Sequence, residues 1–231
     1  MNTAKLLTAL VLGVIVASPR GVADIFSFTN NLVIPDGQGS GVSDVETIAS
    51  SVSQIHSVWV SLNIAGEFNG DLYCYLQHGN ALSVLLNRPG RATNNPFGYA
   101  DSGFNITLLD LATNGNIHNY QGLFVPPAGS PLTGVWQPDG RTNSPASVLD
   151  TDPSVAGLSV FDGLSASGEW TLFLADLSLG GTSQLLSWQL IIDPVPEPSV
   201  AVLGVLGLGA MTAFVRNRKR RKAARFTSRQ H

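Results

Sequence analysis

The chain has 231 residues, 44% of them hydrophobic and only 13% charged, with a single cysteine, Cys74. That balance excludes a charged disordered chain and a coiled coil, and one cysteine excludes a disulfide framework within the chain. The net charge of −3 conceals an asymmetry: residues 24–193 hold 15 acidic and 3 basic residues, a net of −12, while eight of the 13 basic residues lie from Arg216 onward. Phosphate binding needs clustered Lys and Arg, so this acidic middle excludes nucleic acid as a partner.

The N-terminus has the order of a secretory signal. Lys5 supplies a positive charge, and residues 6–17 form an apolar run too short to cross a bilayer. Ser18-Pro19-Arg20 interrupts the helix, and Gly21-Val22-Ala23 places small residues before a cleavage site. Cleavage is expected after Ala23, which makes residues 1–23 a signal peptide and leaves Asp24 first.

Residues 24–193 alternate with period two, the pattern of half-buried strands. Val58, Val60, Leu62 and Ile64 form one inward set, Leu72, Cys74 and Leu76 another, and Phe104, Ile106 and Leu108 a third. Trp170, Leu172 and Leu174 follow, then Leu186, Trp188, Leu190 and Ile192. Turn dipeptides such as Asn69-Gly70, Gly79-Asn80 and Gly180-Gly181 separate these runs. Many short strands spaced in this way predict an all-β sandwich or barrel. Residues 87–103 and the proline-rich residues 125–153 read as long loops, the usual place for binding on a rigid sandwich.

Several elements of this middle region come in a recognisable order. Gly70-Asp71-Leu72 is followed by Asn87-Arg88-Pro89-Gly90, then by Leu132-Thr133-Gly134-Val135-Trp136. Gly168-Glu169-Trp170-Thr171-Leu172 leads to Asp176, and Ser187-Trp188-Gln189-Leu190 closes the series. Over about residues 50–193 the chain resembles the P domain, or P/Homo B domain, of proprotein convertases. The resemblance implies a jelly-roll-like β-sandwich that packs beside a subtilisin-like serine protease, or serves as an accessory module of a secreted bacterial protein. Where family members often carry a His-Thr-like pair, this chain has Glu67-Phe68-Asn69.

The chemistry legible in the chain is sparse. Gly157-Leu158-Ser159-Val160-Phe161 departs from the G-x-S-x-G nucleophile elbow at its last position. His56, His78, His118 and His231 stand in no H-E-x-x-H or H-x-H pattern, and each is expected on a loop or strand face. Cys74, in phase with core leucines, is expected to be buried and structural. Calcium is the one cofactor the acidic excess suggests, since it takes six to eight oxygen ligands. The P-domain resemblance puts Asp71 and Asp176 forward as its positions; the alternative is that such aspartates cap turns. Tyr73, Tyr75, Tyr99 and Trp136 suggest a sugar-stacking platform.

At the C-terminus, residues 194–199 are proline-rich and refuse helix. Residues 200–215 are uncharged, the short end of a transmembrane helix, and residues 216–231 form a basic tail expected on the cytoplasmic side. The order of Pro196-Glu197-Pro198, apolar helix and arginine-rich end resembles the PEP-CTERM sorting signal. That resemblance implies recognition and processing at this motif by an exosortase in the bacterial membrane. The expectation is therefore a non-catalytic β-sandwich, secreted across the inner membrane, held there transiently, and then released to the cell surface or the exopolysaccharide matrix. Two alternatives stay open: an accessory domain of a separately encoded subtilisin-like protease, and a carbohydrate-binding module.

Overall fold

The alternation of apolar and polar residues resolves into two sheets facing each other across one core. The computed structural model describes residues 22–195. Most of the expected signal peptide, the Pro196-Glu197-Pro198 motif, the expected spanning helix at residues 200–215 and the basic tail lie outside the described residues. No helix among the described residues is long and apolar enough to cross a membrane.

Nine strands are present among the described residues: β1 (Asp24–Ile34), β2 (Val42–Ile48), β3 (Ile55–Ala65), β4 (Leu72–His78), β5 (Ala81–Asn87), β6 (Phe104–Leu108), β7 (Leu132–Trp136), β8 (Gly168–Asp176) and β9 (Ser183–Pro194). They form a five-stranded sheet in the order β1-β9-β3-β6-β7 and a four-stranded sheet in the order β2-β8-β4-β5. The ribbon β8–β9 crosses from one sheet to the other and is internal in both. It is flanked on one side by β1 and β2 and on the other by β3 and β4, all antiparallel to it. This wrapping is what makes the sandwich jelly-roll-like. β7 is the exception, since it pairs parallel to β6 after a long connection.

The core lies where the inward sets meet. Trp136, Trp170, Trp188, Tyr120, Phe104 and Phe161 are the largest side chains in it. Trp170 packs between the His78 ring, stacked at 4.2 Å and 5°, and Phe161 at 5.0 Å. Its indole N–H donates to the Ala166 carbonyl, so the polar end of the ring is satisfied inside the core. Cys74 is buried as expected, and burial pushes its thiol pKa up.

Three expectations need correction. Leu186 is half-exposed and Leu185 is buried, because a bulge puts Asn63 opposite Ser187 but Ile64 opposite Leu185. The extra residue shifts the phase of the alternation. Within the proline-rich stretch, Leu132–Trp136 is a strand rather than a loop. Proline is confined to its flanks, at an edge where no ladder donor is lost. His118 is neither on a strand face nor on an open loop, but fully buried in a 3₁₀ turn.

Trp170→Ala is expected to destabilise the fold by about 3–5 kcal/mol, because the cavity opens between two packed rings. Chemical denaturation of the two proteins checks this, and overlapping curves would remove Trp170 from the core.

Candidate functional site

The Asn69–Asp71 3₁₀ turn leads directly into β4, and Leu72 is paired with Asp176 at the end of β8. Antiparallel pairing therefore brings Asp71 beside Asp176, although 105 positions separate them in the chain. Gly70 is required here, because any side chain on it would run into the backbone of Phe97 and Gly98. That close approach seats the loop of residues 87–103 over the turn, with the Gly70 N–H donating to the Tyr99 carbonyl at 2.8 Å.

Arg88 reaches into this corner from the end of β5. Its Nε donates to the Gly70 carbonyl at 3.0 Å, and its Nη2 donates to Asp71 Oδ1 at 3.3 Å and to Ser178 Oγ at 3.1 Å. Arg88 is 8% exposed, Asp71 6% and Asp176 1%. Asp176 Oδ1 accepts from the Ser178 N–H at 3.2 Å, whereas its Oδ2 is buried without a hydrogen-bond partner. Burial pushes the Asp176 carboxyl up to about 6, the Asp71 and Asp36 carboxylates adding repulsion and the N–H groups of Ser178 and Gly37 opposing it.

Asp71 and Asp176 come together at this corner. A calcium shell takes six to eight oxygens, and among the described residues no group of three or more His, Cys, Asp or Glu is arranged to hold a metal ion. The positive charge beside Asp71 is the guanidinium of Arg88, already hydrogen-bonded to backbone and hydroxyl.

A second buried network joins the long loops. His118 Nδ1 lies 2.8 Å from Asp139 Oδ2, and both side chains are fully buried. Asp139 also pairs with Arg141 at 3.2 Å and accepts from the Asn87 N–H at 3.1 Å. This has the outline of an Asp–His dyad, but Nε2 faces the Arg91 carbonyl at 3.0 Å. A general base needs a free lone pair toward substrate, and here both ring nitrogens are engaged. His78 is held the same way, between the carbonyls of Glu169 at 2.7 Å and Ser165 at 2.8 Å.

The third basic residue is also structural. Arg91 donates to the carbonyls of Val148 and Ala146, both at 2.7 Å, and fastens the two long loops together. Tyr120 completes the set: its hydroxyl donates to Asp101 at 2.6 Å and accepts from Asn69 at 3.2 Å, and burial with the Asp101 bond pushes its pKa up. None of these networks was visible in sequence. The available signal was that all three basic residues of an acidic domain, Arg88, Arg91 and Arg141, lie next to the long loops.

The four aromatic residues expected to form one platform separate. Trp136 is buried, and Tyr99 packs edge-on against Tyr120 at 4.6 Å. Tyr73 and Tyr75 do share a face, joined by Phe173, which stacks on Tyr75 at 4.7 Å. Ala23, the expected cleavage position, immediately precedes β1.

No family model and no curated protein matches the chain. Among solved structures it is similar to a chain of the Aeromonas sobria serine protease in complex with its chaperone, at 17% identity and a TM-score of 0.42, over 77% of this chain and 28% of that one. The Aeromonas sobria serine protease crystallised by itself gives 16% identity and a TM-score of 0.41, over 75% of this chain and 27% of that one. The chain therefore spans little more than a quarter of either neighbour. A likeness this distant establishes neither family nor function.

The raised Asp176 pKa has a definite sign. Its extra stabilisation is complete below the carboxyl's unfolded value near 3.8 and is lost as pH rises through about 6. Relative to wild type, Asp176→Asn is thus expected to gain stability between pH 4 and pH 7 and then level off. Thermal melts across that range check it, and a pH-independent difference would contradict the assignment. Repeating them with calcium and with chelator is expected to give superimposable curves.

Proposed function

We propose that the chain is a non-catalytic surface module of the bacterial envelope, exported by its signal peptide and released by processing at Pro196-Glu197-Pro198. The observation that carries this reading is where the folded strands begin and end. β1 starts at Asp24, the residue after the expected cleavage at Ala23, and β9 ends at Pro194, just before the motif. Asp24 is paired with Ile192, so the start of β1 and the end of β9 lie side by side in one sheet. Cuts at both would leave the two sheets intact. The closed hydrogen bonding of His118 and His78 favours a scaffold over a catalyst.

In this reading an exosortase is the processing partner, the bacterial membrane is a transient one, and the exopolysaccharide matrix is the destination. Proline disfavours helix, which would suit recognition of the motif by a protease, and Glu197 is the only charge between Asp193 and Arg216. Glu197→Ala is expected to trap a longer, membrane-bound form in a host with an exosortase. Mass spectrometry of surface-extracted protein decides it: a mature form that still ends at His231 would overturn the sorting step.

A second reading, an accessory domain for a separately encoded subtilisin-like protease, draws on the P-domain resemblance and on one surface. Phe68, Phe97 and Leu179 are exposed around a groove of about 390 Å³ above the Arg88 corner, at 39%, 73% and 86%. Exposed apolar clusters of this kind suit protein contacts. On this reading Phe97→Asp with Leu179→Asp abolishes co-purification with such a protease while leaving the melting temperature unchanged; co-purification unaffected by both changes would exclude this surface.

A further inference from the structure

The outer face of the five-stranded sheet has a composition unlike the rest of the domain. Two rows of paired residues cross all five strands. One runs Ser27, Gln189, Ser61, Thr107, Val135 and the next runs Thr29, Ser187, Asn63, Asn105, Thr133. Nine of these ten positions carry a neutral hydroxyl or amide, and none carries a charge, in a domain of net −12. The rows line a groove of about 520 Å³. At ~4.8 Å between strands it extends about 19 Å across the sheet.

Only part of this hydrogen-bonding capacity is used internally. Ser61 and Thr107 hydroxyls meet at 2.9 Å, and Gln189 donates to Ser27 at 3.0 Å. The side chains of Thr29, Asn63, Asn105, Thr133 and Ser187 face outward beyond these two bonds. The row beside Ser61 continues into Trp59, Ile191 and Ile25, so an apolar row with a half-buried indole lies on the same face next to the groove.

We propose that this groove binds a neutral polysaccharide chain. The proposal rests on the reading of the protein as an envelope module and names its ligand. The face selects by charge and polarity. Nucleic acid or an acidic polysaccharide would find no Lys or Arg to neutralise it, and a protein partner would find almost no apolar centre to bury. A polyhydroxylated chain offers a donor and an acceptor at each hydroxyl, as Ser, Thr, Asn and Gln do. The apolar face of a sugar ring would lie against Trp59, since an indole presents a broad apolar surface beside a polar edge.

The test is native affinity electrophoresis of the purified full-length chain in mild detergent, through gels containing dextran, hydroxyethyl cellulose, galactomannan or the anionic alginate. Retardation is expected with at least one neutral polymer and not with alginate. Asn63→Ala with Asn105→Ala is expected to weaken that binding about tenfold, the loss of a net ~1 kcal/mol or less per hydrogen bond. Trp59→Ala should weaken it similarly, and Tyr75→Ala, on the other sheet, should not. If Trp59→Ala fails to fold, the asparagine pair carries the test, with near-UV dichroism as the check on folding. Retardation by alginate alone, by none of the neutral polymers, or equally in wild type and the asparagine variant would overturn the proposal. A surface-located protein that binds none of them sinks the groove and leaves the envelope reading standing. Polymer binding by a protein that never leaves the inner membrane does the reverse.

Discussion

Both sheets depend on one ribbon. β8 and β9 are each internal to their sheet, and each carries a core tryptophan, Trp170 and Trp188. Pairing β8 with β2 and β4 sets the register of one sheet, and pairing β9 with β1 and β3 sets the other. Most of the buried apolar surface therefore cannot form until the last two strands are in place. Such long-range pairing implies high contact order, which slows folding in proportion to the loops that must close first. Trp188 also ties the layers together, since its indole N–H donates to Asp44 of β2 at 2.6 Å.

The second constraint is charge. With fifteen carboxylates and three arginines between residues 24 and 193, no arginine is left to an incidental surface role. Arg88 and Arg141 each pair with a buried aspartate, and Arg91 clamps loop carbonyls. Removing one partner of a buried pair leaves the other uncompensated, which costs far more than the pair contributes net. The long loops thus owe their positions to electrostatics, while the sheets owe theirs to apolar burial. That division explains why residues 125–153 hold a definite course with so little regular structure.

The same division determines what could be read in the sequence. Alternation is a local signal, so β3, β4, β6 and β8 are legible from their inward leucines, valines and tryptophan. β1 is harder, because Asn31 at φ 49° lies in a bulge between Thr29 and Leu32 and resets the phase there. β9 hides a similar slip at Leu186. β7 is obscured by flanking prolines and by a parallel pairing that no turn dipeptide announces. The resemblance put Asp71 and Asp176 forward only as calcium positions, and nothing local to Asn87-Arg88-Pro89 says that the Arg88 side chain turns inward beneath Gly70. The His118–Asp139 contact was equally hidden, being a product of loop packing.

These contrasts separate the groups that build the molecule from those free to act. Chemically conspicuous side chains such as His118, Tyr120 and Asp139 are spent inside, each hydrogen-bonded to a neighbour that also needs it. A buried polar network of this kind gains when every member is satisfied and loses heavily when one is missing, so it resists conversion to a site that must change partners during a reaction. The two neutral rows on the five-stranded sheet are in the opposite state. Their hydroxyls and amides stand on rigid strands, are largely uncommitted to the protein, and carry no charge whose desolvation would oppose contact. A solvated sheet face in so acidic a domain would be expected to share its carboxylates. Their absence from ten consecutive paired positions keeps those two rows neutral, and a neutral, pre-organised, hydrogen-bonding surface is what an uncharged polyhydroxylated ligand requires.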